Sequence, residues 1–210
     1  MKTNNAKLSD TLLKAAWLAV LLGLGMEVVL LGVAAGFKNS MTTQAIVADL
    51  VQKISWSTFV CVGVAVGTAA GKMRPQFMGL AGLIAAPVAF NISKVLHKST
   101  SQALSLAGPA SAGGPSPVLL AFLKGLEYAV LGFVIGQLGK KAAGLRAHVL
   151  AGFVIALVFG GTIVYLMATM ATKPLPLAGL VSKSVNELLF PIGCSIVLFA
   201  AQKLGEMKKI

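Results

Sequence analysis

The chain alternates between long runs of apolar residues and short polar stretches. Six apolar runs can be drawn along it, at residues 15–37, 54–71, 77–96, 118–139, 148–171 and 178–201. Each run holds about 20 residues, the length that an α-helix needs to cross the roughly 30 Å hydrocarbon core of a bilayer. The pattern predicts an all-α, polytopic integral membrane protein with about six transmembrane helices.

The polar stretch between the first two runs has a pattern of its own. Apolar residues recur there at helical spacing, and polar residues take the opposite face; the apolar set is Ile46, Val47, Leu50, Val51 and Ile54, and the polar set is Asp49, Gln52 and Lys53. This arrangement predicts an amphipathic helix near 43–54 that lies on the membrane interface.

A connector rich in Ser, Ala, Gly and Pro is predicted at 99–117, ending near Gly113-Gly114-Pro115. Such a composition is typical of a flexible link between structured units. It divides the chain into a first three-helix half at 1–98 and a second at 118–210.

The two halves share the pattern G-x-E-x-x-x-L-G-x-x-x-G, which begins at Gly25 and again at Gly125, an offset of 100 residues. Three crossings in each half would place the halves in opposite orientations, as in the inverted repeats of many secondary transporters. A competing alignment pairs the glycines of the second run with those of the fourth, namely Gly63, Gly67 and Gly71 with Gly132, Gly136 and Gly139. The sequence leaves both alignments open.

Composition supports membrane insertion. Hydrophobic residues make up 57% of the chain and charged residues 11%, which is too little polar surface to coat a soluble domain. The net charge of +12 comes from Lys and Arg that flank the apolar runs in small groups, so it indicates contact with a lipid bilayer and excludes a nucleic-acid partner. These basic residues are more numerous on the side with both termini, which predicts cytoplasmic termini in a bacterial inner (plasma) membrane.

Three of the six acidic residues, Glu27, Glu127 and Glu187, fall inside predicted spans. A carboxylate in the hydrocarbon region costs several kcal/mol unless it is paired or hydrated, so such residues commonly face a cavity. We expect these three to bind a cation or a proton. The alternative is a local ion pair one helical turn away, with Lys124 for Glu127 and Lys183 for Glu187, whereas Glu27 has no basic neighbour in the sequence.

The Gly-x-Glu stretches at Gly25 and Gly125 resemble the glutamate motifs of the iron permease family, which lie on equivalent helices. The Arg-Glu-x-x-Glu core of that family is absent at both stretches. The resemblance therefore carries over only to Glu27 and Glu127, and it implies that they would bind a cation being transported.

Prolines and amides recur in the third and sixth runs, as Pro87 with Asn91 and Pro191 with Asn186. Such a pair can break a transmembrane helix and free backbone groups to bind a substrate or an ion. The simpler alternative is a proline kink supported by neighbouring helices.

Gly63, Gly67 and Gly71 form a G-x-x-x-G-x-x-x-G stripe that lets another helix approach closely, either within the chain or in an oligomer. No enzyme motif is visible, and His97 and His148 have no companion at ligand spacing. We therefore expect no catalytic residue and no cofactor, and the sequence leaves a metal unassigned.

The sequence leads to two hypotheses. The first is a small membrane transporter or channel that moves a cation, a proton or a small solute through a cavity lined by intramembrane glutamates. The alternative is a non-transporting membrane subunit or scaffold, in a homo-oligomer or with another membrane protein, that docks through the glycine stripe. An intramembrane enzyme is less favoured because no catalytic pairing is visible.

Overall fold

A computed structural model describes residues 2–39, 41–106 and 113–207, with side chains for 8–39, 41–106 and 113–204. The described chain is helical. Its helices are α1 (Lys2–Gly36), α2 (Thr43–Val66), α3 (Arg74–Ala103), α4 (Pro117–Lys140), α5 (Leu145–Ile155), α6 (Gly161–Thr169) and α7 (Leu177–Met207). A 3₁₀ turn, Gly67–Met73, joins α2 to α3, and a π-helical segment, Ala156–Gly160, joins α5 to α6. This confirms the all-α prediction.

Within the described residues, five helical stretches are long and apolar enough to cross a membrane, where six separate runs were predicted. They are Leu8–Gly36, Thr43–Ala103, Pro117–Lys140, Leu145–Thr169 and Leu177–Leu204. The second has 61 residues and would extend about 90 Å if it were straight. It reverses at Gly71, whose φ of 53° and ψ of −113° suit glycine. The stretch therefore consists of two antiparallel legs, α2 and α3.

The helices form a ring in which consecutive legs run antiparallel, α5 and α6 together making one leg, and α7 closes the ring against α1 and α5. Ser57 of α2 donates a hydrogen bond to the carbonyl oxygen of Ala19 in α1 at 2.7 Å. Lys14 of α1 donates to the carbonyl oxygen of Leu204 in α7 at 2.8 Å, so the start of α1 and the end of α7 lie at the same end of the ring.

Apolar side chains fill the ring and also cover its outside. Met78, Tyr128 and Leu131 are fully buried, and Trp56 packs edge-on to Tyr128 with ring centroids 5.7 Å apart. Large apolar side chains are also exposed on the outer surface, including Leu21, Val28, Ile84, Phe122, Val158 and Tyr165. An apolar exterior of this extent suits contact with lipid.

Glycines bring α3 and α4 into close contact. A Cβ added at Gly82 would meet the backbone of Tyr128, and one added at Gly132 would meet the backbone of Met78. In the predicted stripe, Gly67 faces the backbone of Met78 in α3 and Gly63 faces the Ala85 side chain of α3, whereas Gly71 lies in the turn with open space beside it. The stripe therefore serves a contact within the chain.

The shared glycine pattern of the two halves packs differently in each. Gly125, Gly132 and Gly136 of α4 lie against α3, but their counterparts Gly25, Gly32 and Gly36 of α1 have no neighbouring atom within 4 Å of an added Cβ. Glycines at corresponding positions of the two patterns thus have different environments. The structure does not show an inverted repeat.

The prediction of broken helices at the prolines is wrong. Both α3 and α7 continue through Pro87 and Pro191. Asn91 donates its amide to the carbonyl oxygen of Pro87 at 2.9 Å, so this polar side chain is satisfied within its own helix. The alternative, a proline accommodated by neighbouring helices, describes both positions.

Two predicted segment boundaries also change. Residues 43–54 are the first half of α2 instead of a separate interfacial helix, and Lys53 in this segment is buried inside the ring. The connector predicted at 99–117 starts later because α3 continues to Ala103, and its residues 107–112 lie outside the described part of the chain. The division into halves at this connector stays a prediction.

In the part of the chain that the structure describes, three non-glycine residues after helix ends have positive φ: Lys38, Ser105 and Ala142. At the end of α4, the Ala143 N–H donates to the carbonyl oxygen of Leu138 at 3.0 Å, which is the bond of a Schellman motif. Glycine is the usual residue at the left-handed position because a Cβ there costs about 1–2 kcal/mol.

Replacing Ala142 by glycine is therefore expected to stabilise the protein by up to about 1 kcal/mol, the strain being partly offset by the greater entropy of unfolded glycine. Thermal unfolding in detergent measures the change. The neighbouring substitution Ala143→Gly is the matched control, since φ at Ala143 is not positive. An equal effect of the two substitutions would contradict the explanation.

Candidate functional site

A cavity of about 460 Å³ lies inside the ring, at the end opposite the chain termini. Its walls come mainly from the start of α2 and α7, the later part of α3 and the start of α4. Trp56, Phe90 and Phe190 form an aromatic wall. The charged side chains that line the cavity are Asp49, Lys53, Lys94, Lys124, Lys183 and Glu187. The volume is in the range of cavities that bind small molecules.

Two buried charged side chains, Lys124 and Glu187, line the floor of this cavity, and Glu127 lies behind them in contact with Lys124. We call Glu127, Lys124 and Glu187 the Lys124 triad. The Lys124 ammonium donates to Glu127 Oε2 at 2.7 Å and also to Glu187 Oε2. Glu127 is completely buried, and Lys124 and Glu187 are nearly so. The triad therefore joins α4 to α7 by charge-assisted hydrogen bonds away from bulk water.

Aromatic rings lie beside the same ammonium. The Lys124 nitrogen is 5.8 Å from the centroid of the Trp56 ring and 5.9 Å from that of Tyr128. At such distances the ring faces attract a cation. Together with its two carboxylates, these rings hold Lys124 in one place at the cavity floor.

A second ion-pair group lies on α1 and α2. The Lys53 ammonium is 2.6 Å from Glu27 Oε2 and 3.8 Å from an oxygen of Asp49. On the outer side, His97 Nε2 lies 3.0 Å from Asp49 Oδ1. Glu27 thus has a basic partner in the next helix, which its immediate sequence neighbours did not reveal.

The structure brings some of the predicted site residues together and separates others. Asn186 and Glu187 line the cavity. Glu27 and Glu127 do not line it, but each contacts a lysine that does. Asn91 is exposed and lies outside the cavity lining.

The expected local ion pairs are only partly present. Lys124 does pair with Glu127, one helical turn away. Glu187, for which Lys183 was the local candidate, pairs instead with Lys124, 63 residues away in the chain. Tertiary contact between α4 and α7 thus replaces the local pair, because Lys124 reaches Glu187 inside the ring whereas Lys183 is exposed at the cavity wall.

Two backbone features lie beside Glu187: Pro191, which sequence analysis singled out, and the π-helical segment, which it missed. Pro191 has no N–H, so the Glu187 carbonyl lacks its usual intrahelical donor four residues later. Gly160, at the end of the π-helical segment, faces this carbonyl, and a Cβ there would lie 2.9 Å from its oxygen. Single-turn π segments inside helices are frequent at functional sites.

Pro87 has a similar environment in α3. Its missing N–H frees the carbonyl of Leu83, which faces Gly125 of α4, where an added Cβ would lie 3.1 Å from the oxygen. In both helices a proline thus frees a carbonyl that a glycine of the neighbouring helix approaches. The recurrence of proline in the two runs marks close helix contacts instead of breaks.

Comparisons with models of protein families, with curated proteins and with solved structures give no match. Among the described residues, no group of three or more His, Cys, Asp or Glu side chains is arranged to hold a metal ion. The basis for a function is therefore the cavity and its buried charges.

Proposed function

We propose that this chain is a membrane-embedded transporter that takes a small polar solute into the cavity above the Lys124 triad. The observation that carries the proposal is a set of buried charged side chains on the floor of a cavity, inside a ring whose exterior is apolar. Charged groups at membrane depth are expensive, and they commonly mark the path of a substrate or an ion.

Six crossings are part of this proposal. The five apolar stretches supply six antiparallel legs, because Thr43–Ala103 folds back at Gly71. An even number of legs agrees with both chain ends lying at one end of the ring. If the basic residues at that end face the cytoplasm of a bacterium, the cavity opens to the outer side of the inner membrane.

Packing beneath the triad favours a transporter over an open channel. Tyr128, Leu131 and Ile135, the next inward-facing residues of α4, are fully buried. A solute in the cavity therefore cannot pass farther unless the helices rearrange, as in alternating access. Such a rearrangement could occur beside Glu187, where the π-helical segment meets α7 and the Glu187 carbonyl lacks its usual intrahelical donor.

Ion pairing alters the expected role of the glutamates. Glu27, Glu127 and Glu187 each contact a lysine, so they do not form an open cation site. Buried ion pairs also contribute little net stability compared with apolar residues of the same size. A role in binding or coupling therefore explains the charges better than a role in holding the fold together.

The alternative of a non-transporting subunit or scaffold depended on the glycine stripe as a docking surface. Gly63 and Gly67 are occupied by α3 of the same chain, so the stripe gives that alternative no support. We therefore retain the transporter as the proposal.

A cysteine-labelling experiment tests whether the cavity holds water within a membrane. The background is a variant in which the two buried cysteines, Cys61 and Cys194, are replaced by alanine. Asn186→Cys, on the cavity wall, is expected to react rapidly with a charged, membrane-impermeant thiol reagent added to intact cells. Solutes that slow this reaction are then tested for uptake into proteoliposomes.

Leu157→Cys is the matched control because Leu157 is 51% exposed on the outside of the π-helical segment. Lipid should cover that position, so it is expected to react far more slowly than Asn186→Cys although its side chain is exposed. Equal rates at the two positions, or no reaction at Asn186→Cys, would contradict the proposal.

A further inference from the structure

The buried charges of the described residues do not cancel. They comprise three carboxylates and two ammonium groups: Glu27, Glu127, Glu187, Lys53 and Lys124. Glu27 and Lys53 neutralise each other across α1 and α2. The Lys124 triad has two carboxylates for one ammonium group and so, with every group ionised, it carries one excess negative charge.

Solvent does not compensate this charge well. Glu127 is 0% exposed, and its Oε1 is buried with no hydrogen-bond partner. Carboxylates that share one buried site do not both ionise readily, because each raises the energy of the other's charge. The excess charge therefore calls for a bound positive species.

The arrangement of donors favours a proton over a metal cation. Both Oε2 atoms of the triad already accept hydrogen bonds from the Lys124 ammonium, which would repel a metal ion placed beside it. The part of the chain that the structure describes also offers no third ligand of the His, Cys, Asp or Glu type here. A proton requires only one carboxylate oxygen and no coordination shell.

Other charged groups near the triad do not remove the excess. Lys94 and Lys183 line the cavity from α3 and α7, but both are exposed and neither forms an ion pair with Glu187. On α2, Lys53 is paired with Glu27, and Asp49 is partly exposed. The charges of these residues are therefore stabilised by solvent or by their own partners, and they do not offset the excess negative charge of the Lys124 triad.

We propose that Glu127 and Glu187 together bind one proton beside Lys124 and exchange it with the cavity through Glu187. The proton forms an O–H bond with one carboxylate oxygen, and the other carboxylate stays ionised as the partner of Lys124. It is assigned to the pair because both carboxylates contact the same ammonium group. In the transporter proposed above, on which this last step rests, that proton is the coupling ion for the solute.

Infrared spectroscopy of the full-length protein in lipid nanodiscs, compared in H₂O and D₂O at neutral pH, tests the proposal without a known solute. Wild type is expected to show the C=O stretch of one protonated carboxylic acid, with the downshift in D₂O that identifies an exchangeable proton. Glu187→Gln and Glu127→Gln should each lose this band, because the remaining carboxylate and Lys124 form a neutral pair. Glu27→Gln, a buried glutamate in the other ion-pair group, should keep it.

Lys124→Met provides a change in the opposite direction. Without the ammonium, both carboxylates must be protonated, so the band is expected to double in intensity. A wild-type spectrum without the band, or a band unchanged in both Glu127→Gln and Glu187→Gln, overturns the proposal. A band that appears only when sodium and potassium are removed also overturns it, in favour of a bound metal cation.

The infrared experiment and the labelling experiment test the two proposals separately. If a protonated carboxyl pair is detected but Asn186→Cys is not labelled, the proton-binding proposal stands and the transporter proposal is overturned. If Asn186→Cys is labelled but no protonated carboxyl group is detected, the transporter proposal stands and the proton-binding proposal is overturned.

Discussion

Replacement of Lys124 by methionine is expected to lower the free energy of unfolding by about 3–5 kcal/mol. The substitution removes the ammonium that both Glu127 and Glu187 contact, so the carboxylate that was ionised beside it must also take up a proton, which is costly at neutral pH. Methionine has nearly the length of lysine, so loss of packing contributes little. Unfolding in mixed micelles, followed by circular dichroism and by the fluorescence of Trp56 beside the triad, measures the change.

Two control variants separate charge from shape at this site. Glu187→Gln removes one carboxylate but leaves Lys124 paired with Glu127, so it is expected to change stability by less than about 1 kcal/mol. A triple variant with methionine at Glu127, Lys124 and Glu187 should recover most of the stability lost by Lys124→Met, because an apolar group can replace a buried ion group at little cost. If the triple variant is as unstable as the single one, the two buried carboxyl groups left without Lys124 are not the cause.

Gly132→Ala is expected to destabilise the protein by about 1–3 kcal/mol, the usual effect of an overpacked interface. The added Cβ would meet the backbone carbonyl of Met78, which cannot move aside as a flexible side chain can. Either α3 and α4 must separate or the helix must distort. The same unfolding experiment measures the loss.

Gly32→Ala is the matched control, since Gly32 holds the corresponding place in the shared pattern and has no atom within 4 Å of an added Cβ. Alanine there is expected to stabilise α1 by about 0.5–1 kcal/mol through its better helix propensity. Changes in stability of opposite sign at the two positions would show that glycines at corresponding places of the pattern have different structural roles. Similar losses at both would instead indicate equivalent packing and favour the repeat.

The sequence pattern predicted correctly those features that depend on interactions between residues close together in the chain. Helix length and apolar content follow from each segment's own residues, so the apolar runs correspond to helices in the structure. The pairing of Lys124 with Glu127 was also within reach of the sequence, because residues three apart share one face of a helix.

The sequence pattern did not predict the contacts of residues whose neighbours lie on another helix. The sequence left open whether Pro87 and Pro191 break their helices or only kink them, and in the structure both helices continue with adjacent helices packed against these turns. Glu27 was without a basic neighbour in the sequence, yet Lys53 of the next helix reaches it. The π-helical segment ends at the pair Gly160-Gly161, but such a pair does not by itself distinguish a π turn from ordinary α-helix.

The sequence by itself determined that this protein is helical, that its helices are long and apolar enough for a bilayer, and that a few carboxylates lie among them. Hydrophobicity and helix length are properties of a segment, and they persist whatever the segment packs against. Only the tertiary structure decided which carboxylates share a lysine, which of them faces the cavity, and which glycines are covered. Those outcomes depend on how each helix is rotated about its axis and on which helix lies beside it. Contact between α4 and α7 thereby places Glu127 and Glu187, far apart in the chain, against a single ammonium group.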